Sequence, residues 1–120
     1  EAIISLLEGV QQGSWDMVSS EVLQFEVAEN CDIPRRESIL GILVLAKSTQ
    51  QATADVEVRA EELQLLGFKA LDALHLASAE AANASFLLTT DDRLLRNAQR
   101  NESKLHVKVA NPAKLGMFSE

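Results

Sequence analysis

The stretch Lys69–Leu95, KALDALHLASAEAANASFLLTTDDRLL, constrains this chain more than any other segment. It sets a lone carboxylate, Asp72, in a helix-patterned run where Leu71, Ala73, Leu74, Leu76, Ala77 and Ala81 cover most directions. A helix that is apolar nearly all round belongs inside a protein. An apolar strand over 85–89 follows and ends in an acidic pair, Asp91 and Asp92. An ionised carboxylate among apolar neighbours is costly unless a cation or a hydrogen-bond network meets it. The segment therefore predicts a metal site at the end of a sheet, where the ligands of open α/β sheets collect.

The rest of the pattern supports such a sheet. Residues 1–11 predict an amphipathic helix with Ile3, Ile4, Leu7 and Val10 on one side, stopped by Gly13. Residues 15–18, WDMV, read as a short strand, and Ser19 or Ser20 caps a helix running to about Glu29. Pro34 opens a helix to about Lys47, with Ile39, Leu43 and Ala46 on one stripe. A helix from about Thr53 to Leu66 stops at Gly67, and the Asp72 helix spans about Lys69–Ala82. The strand over 85–89 is apolar on both faces, as a central parallel strand is, and so expects cover above and below and neighbours on both edges. A helix over about Asp92–Arg100 and an alternating edge strand at 106–110, HVKVA, complete the order. Helices and strands alternating in this way predict an α/β fold, a three-layer α/β/α sandwich with a mostly parallel central sheet. Three strands are few for so many helices.

Length and composition bound the function. One domain over residues 1–120 is expected, and an apolar content of 47% separates it from disordered chains. Cys31 is the only cysteine, which excludes an intramolecular disulfide and zinc patterns and suits a reducing cytoplasm. No apolar run approaches the roughly 20 residues of a membrane span, so no membrane partner is expected. The formal charge of −7 argues against nucleic acid, but its distribution does not. Residues 1–92 carry 5 basic and 16 acidic side chains, whereas residues 93–120 carry 6 basic and 2 acidic. That basic run, with Arg93 and Arg96 at its head, starts directly after the acidic pair. A polyanion drawn there meets the acids only where metal ions mask their charge. The alternative is a solvated helix face, since Arg93, Arg96 and Arg100 follow helical spacing.

Four acids are candidate ligands. Glu26 has Val22, Leu23 and Val27 around it, which points it into the buried arc of its helix; at the arc's edge it would instead pair with a basic residue. Asp72 sits in a first helical turn, where the helix dipole also favours an acid. Asp91 and Asp92 follow the strand, and Asp91 or Thr90 can cap the next helix while leaving a carboxylate oxygen free. Thr89 and Thr90 are placed to hold a metal-bound water, and His75 reads either as a ligand-orienting group or as a satisfied core histidine. Carboxylates without a cysteine or histidine cluster suit Mg²⁺ or Mn²⁺, which can activate water and bridge a phosphate. No GxSxG elbow, P-loop or GxGxxG exists.

DALHLASAEAANASFLLTTDDRLL resembles the PIN domain family, VapC-like ribonucleases included, in which an aspartate opens a DAxHLAxA helix and an apolar strand ends in T-x-D. VSSEVLQFEV resembles the family's earlier serine-capped acidic helix, and VKVANPAKL its closing strand. The resemblance implies Glu26, Asp72 and Asp91 as catalytic and metal-binding residues, with Asp92 assisting. It implies Mg²⁺- or Mn²⁺-dependent hydrolysis of phosphodiester bonds in single-stranded RNA, as in the toxin of a toxin–antitoxin pair. It also implies a further strand, carrying another aspartate, that lies in the middle of the sheet and precedes Glu1. The domain is thus expected to be N-terminally incomplete. Expected partners are single-stranded RNA, an antitoxin protein and a second copy of the chain. The competing expectation is a non-catalytic PIN-like module that binds protein or RNA.

Overall fold

A computed structural model describes residues 2–114 of the chain, with the side chains of residues 2–6 and so of Ile3 and Ile4 outside the described set. Leu115 of the VKVANPAKL segment also lies outside it. Six helices and four strands follow one another: α1 Ala2–Gln12, β1 Val18–Ser20, α2 Glu21–Ala28, α3 Ile33–Leu43, β2 Ser48–Gln50, α4 Ala54–Leu65, α5 Ala70–Ala81, β3 Phe86–Leu88, α6 Asp92–Arg100 and β4 Lys108–Ala110. The architecture is α/β, as the alternation of elements predicts.

Local chemistry sets most of the helix ends. The side chain of Ser20 accepts from the Leu23 amide, that of Thr53 from the Val56 amide, and that of Asp32 from the Arg35 amide. Each satisfies a donor that the helix itself leaves open. Gly13 and Gly67 close α1 and α4 at φ +86° and +100°, values that glycine reaches without a Cβ clash. After Gly67 the chain folds back at once: the Phe68 amide bonds the Leu63 carbonyl, and both side chains are buried.

The core lies where α4, α5 and α6 meet: Val56, Ala60 and Leu63 from α4, Ala73, Leu76 and Ala77 from α5, Leu94 and Ala98 from α6, together with Phe68 and Val107. Leu63 and Leu76 are wholly buried, and burial of each contributes about 2 kcal/mol. Arg59 of α4 reinforces this junction. Its Nε and Nη2 donate to the two carboxylate oxygens of Glu80 on α5, at 2.7 and 3.2 Å, and Nη2 also reaches the Lys104 carbonyl. The Glu80 hydrogen bond raises the Arg59 guanidinium above its ordinary value, against the opposing effect of burial.

Several expectations are corrected here. The strand expected at 15–18 begins at Val18 and runs to Ser20, because the Lys47 amide ties back to the Met17 carbonyl and the parallel ladder starts only beyond it. α3 stops at Leu43 instead of Lys47, and the stripe of Ile39, Leu43 and Ala46 is half-buried, since the chain turns there to enter β2. β2 itself, Ser-Thr-Gln, carries no apolar pattern; it is a strand because β1 pairs with it. In place of one sheet there are two parallel pairs, β1–β2 and β3–β4. β3 has β4 as its one strand neighbour among the described residues, and Leu88 is exposed, so β3 is not the covered central strand its composition suggests.

Candidate active site

Two acids come together at one cleft. α4 ends at the Gly67 turn, Phe68 anchors the next two residues in the core, and α5 starts with Asp72 in its first turn. An acid there is favoured by the amide dipoles, and Lys69, the N-cap, makes no side-chain capping bond that would compete. From the other side, β3 delivers the chain to Thr89. The Thr89 hydroxyl accepts from the Asp91 amide at 3.1 Å, and Asp91 Oδ1 accepts from the amides of Arg93 and Leu94 at 2.9 and 3.2 Å. Both capping bonds fall on Oδ1, so Oδ2 remains for a ligand. Asp72 and Asp91 line a cleft of about 450 Å³ together with Lys69, Arg93, Asn97 and Arg100.

The charge pattern of the cleft is specific. Two carboxylates stand among three cations, Lys69, Arg93 and Arg100. Asn97 fixes the far wall: its side-chain oxygen accepts from Asn101 Nδ2 at 3.1 Å and from Arg100 Nη2 at 3.5 Å. Arg93, Asn97 and Arg100 lie on one face of α6. Arg96, expected to share the RNA contact with Arg93, is exposed on that helix but does not line the cleft. Lys69 and Arg100 are the charged cleft residues that the motif does not single out. The spacing of Arg100 from Arg93 is its sequence signal, whereas Lys69 has none beyond its place before the helix.

Glu26 and Asp92 are placed differently from expectation. Glu26 is exposed, not in a buried arc, because Val27 alone of α2 is buried. Its Oε2 lies 3.4 Å from His75 Nε2 on α5, one turn beyond Asp72. His75 is neither a buried core residue nor free: its side chain is 18% exposed and meets Glu26. Asp92 is exposed in the first turn of α6, outside the cleft lining. The Asp72 helix is also less enclosed than its composition suggests, since Leu71 and Ala81 are exposed.

The donor set of the cleft is all oxygen where it is anionic, with no sulfur or imidazole in the lining. Mg²⁺ keeps several waters and is held through one or two carboxylates plus phosphate oxygens. A pair such as Asp72 and Asp91 fits that chemistry. Among the described residues, no group of three His, Cys, Asp or Glu side chains is placed to hold a metal ion. The structure therefore sets Asp72 and Asp91 in one cleft, while Glu26 meets His75, and neither of these two lines that cleft. No helix of the described residues is long and apolar enough to cross a membrane.

Comparison with known proteins adds one finding. The family model described as PIN domain matches residues 3–100, which takes in α1 to α6 and every acid considered above. Neither a curated protein nor a solved structure gives a significant match to the chain.

Proposed function

This chain belongs to the PIN domain family, generally nucleases, and from that premise we propose that it is a metal-dependent ribonuclease that hydrolyses phosphodiester bonds in single-stranded RNA. The observation that carries the reading is the meeting of Asp72 and Asp91 in a cleft rimmed by Lys69, Arg93 and Arg100. The three cations offset the charge of an entering phosphodiester, which the two carboxylates alone would repel. Asp91 is held by its capping bonds, so its carboxylate is positioned before substrate arrives, and Asp72 is carried on the first turn of α5. Asp72 and Asp91 would hold Mg²⁺ or Mn²⁺, which supplies activation of water and neutralisation of charge on the phosphate. Glu26, oriented by His75, and Asp92 complete the set of acids assigned to the site.

The VapC-like character of DALHLASAEAANASFLLTTDDRLL supports a narrower role, the toxin of a toxin–antitoxin pair, with an antitoxin protein as partner. A reducing cytoplasm suits the free, exposed Cys31. The test is incubation of the protein with labelled single-stranded RNA, double-stranded RNA and single-stranded DNA, each in Mg²⁺, Mn²⁺ or EDTA. Cleavage of single-stranded RNA that EDTA abolishes is the expected result. Binding of RNA without cleavage under any of these ions would overturn the enzymatic reading in favour of a binding module.

A further inference from the structure

The cleft that holds Asp72 and Asp91 has a second end. Asn97 and Arg100 line it there, on the face of α6 that Arg93 opens beside Asp91. An α-helix rises about 1.5 Å per residue, which sets Asn97 about 6 Å and Arg100 about 10 Å along α6 from Arg93.

Hydrogen bonds at the end of α6 decide which way the Asn97 amide faces. Its Oδ1 accepts from Asn101 Nδ2 at 3.1 Å and from Arg100 Nη2 at 3.5 Å, and Asn101 Nδ2 also donates to the Asn97 carbonyl at 2.9 Å. Two donors fill the two lone pairs of that side-chain oxygen. Nδ2 is left as a donor without a partner among the described residues. It faces the Gly67 turn, where a Cβ would stand 3.6 Å away and cover it, so glycine leaves it open to the cleft. Arg100 uses one of its N–H donors on Asn97 and keeps the others.

Charge and shape say what these donors take. Three cations, Lys69, Arg93 and Arg100, line the cleft, and a divalent ion on Asp72 and Asp91 would leave all three unbalanced. A phosphodiester carries a single negative charge, so the cleft is charged for more than the scissile group. A base fits less well. Single-stranded bases are held by stacking on aromatic side chains, and Phe68, the aromatic residue of the lining, is 5% exposed and packed in the core. The volume of about 450 Å³ falls in the range of sites for molecules much larger than one phosphate.

We propose that the Asn97–Arg100 end of the cleft is a second phosphate site, which binds the phosphate adjoining the scissile one and so fixes the register of the strand. The proposal rests on the nuclease reading in taking RNA as the ligand. It adds that Asn97 Nδ2 and the Arg100 guanidinium are the donors that hold the neighbouring phosphate. A lone phosphodiester is then an incomplete ligand, and a second phosphate on one side completes it.

The test uses dinucleotides of mixed sequence, unphosphorylated or with a phosphate at the 5′ or the 3′ end, as competitors of a labelled oligonucleotide in Mn²⁺. A phosphate at one end should strengthen competition about tenfold, the size of one charge-assisted contact, and a phosphate at the other end much less. Asn97→Leu and Arg100→Gln should each cut that gain to about threefold or less, whereas Arg96→Gln should keep it. Arg100 is exposed, so its variant stays folded, and melting curves check both proteins. No gain from either end would overturn the proposal, as would a gain that survives both substitutions. Equal gains from the two ends, or a gain that Arg96→Gln removes as fully as Arg100→Gln, would mark diffuse charge attraction and overturn it too. The same ligands separate this site from the nuclease reading. Cleavage of longer RNA without the gain would keep the enzyme and sink the second site; the gain without cleavage of any RNA would keep the site and sink the enzyme.

Discussion

Glu26 Oε2 lies 3.4 Å from His75 Nε2, a contact that ties α2 to α5 one turn beyond Asp72. Through it, an exposed acid of α2 is held against the helix that carries Asp72. Removing a group that orients an acid of a metal site lowers affinity or activity by about 10- to 100-fold. His75→Ala should therefore weaken Mn²⁺ binding and RNA cleavage by about that factor, while unfolding shifts little because His75 is not fully buried. An isothermal titration with Mn²⁺ beside a urea melt checks this. Unchanged binding would remove Glu26 and His75 from the site.

The Arg59–Glu80 pair predicts a stability effect with a defined pH behaviour. Glu80 accepts from Arg59 and from the His106 amide, so Glu80→Ala leaves that amide without its partner and the guanidinium with only Glu62 and the Lys104 carbonyl. The expected cost is about 1–3 kcal/mol in a urea melt. The Glu80 hydrogen bond holds the Arg59 guanidinium above its ordinary value, so its contribution is fully present below that ordinary value and is lost only as pH rises through the raised one. The cost of Glu80→Ala attributable to Arg59 should accordingly be the same at about pH 6 and about pH 9.

Gly67 makes a prediction about the entrance to α5. Its φ of +100° is strained for any residue with a Cβ, although a Cβ there would meet only Asn97, at 3.6 Å or more. Gly67→Ala should cost about 1 kcal/mol or somewhat more, from backbone strain and not from crowding. Because Gly67 lines the cleft beside Lys69, cleavage should fall along with stability. Equal melting temperatures of the variant and the parent would contradict the strain argument.

The cations of the cleft predict a salt dependence. Arg93→Gln and Arg100→Gln should each weaken RNA binding and lower the slope of log affinity against log salt by about 0.7, the value for one phosphate contact on a single strand. Arg96→Gln, outside the lining, should leave the slope nearly unchanged. Fluorescence anisotropy with a labelled oligonucleotide across a salt series measures all three. Equal effects from all three substitutions would mean that α6 acts as a diffuse basic face.

What was readable in the sequence is what short-range chemistry decides. Ser20, Thr53 and Asp91 cap helices because an oxygen on the side chain meets an amide two or three residues on, and Gly13 and Gly67 end them because few other residues take those φ values. That Asp72 and Asp91 lie at the ends of elements facing one cleft was readable because one helix and one strand lead straight to them. β2 was not, since Ser48–Gln50 has no pattern of its own and becomes a strand only by pairing with β1. Nor was the exposure of Glu26: the apolar residues around it suggest a buried arc, but which side of α2 is covered depends on how α5 approaches. The Arg59–Glu80 pair likewise depends on residues far apart in the chain.

The most direct measurement is cleavage of single-stranded RNA by Asp72→Asn and Asp91→Asn proteins at saturating Mn²⁺, with melting curves taken on the same samples. Each substitution removes one carboxylate charge from the cleft at nearly constant volume. Asp91→Asn keeps a side-chain oxygen for the α6 cap, so both proteins should stay folded. Rates at least about a hundredfold below the parent, with melting temperatures close to it, are the expected result. Undiminished cleavage by either folded variant would show that the acid concerned does not carry the chemistry.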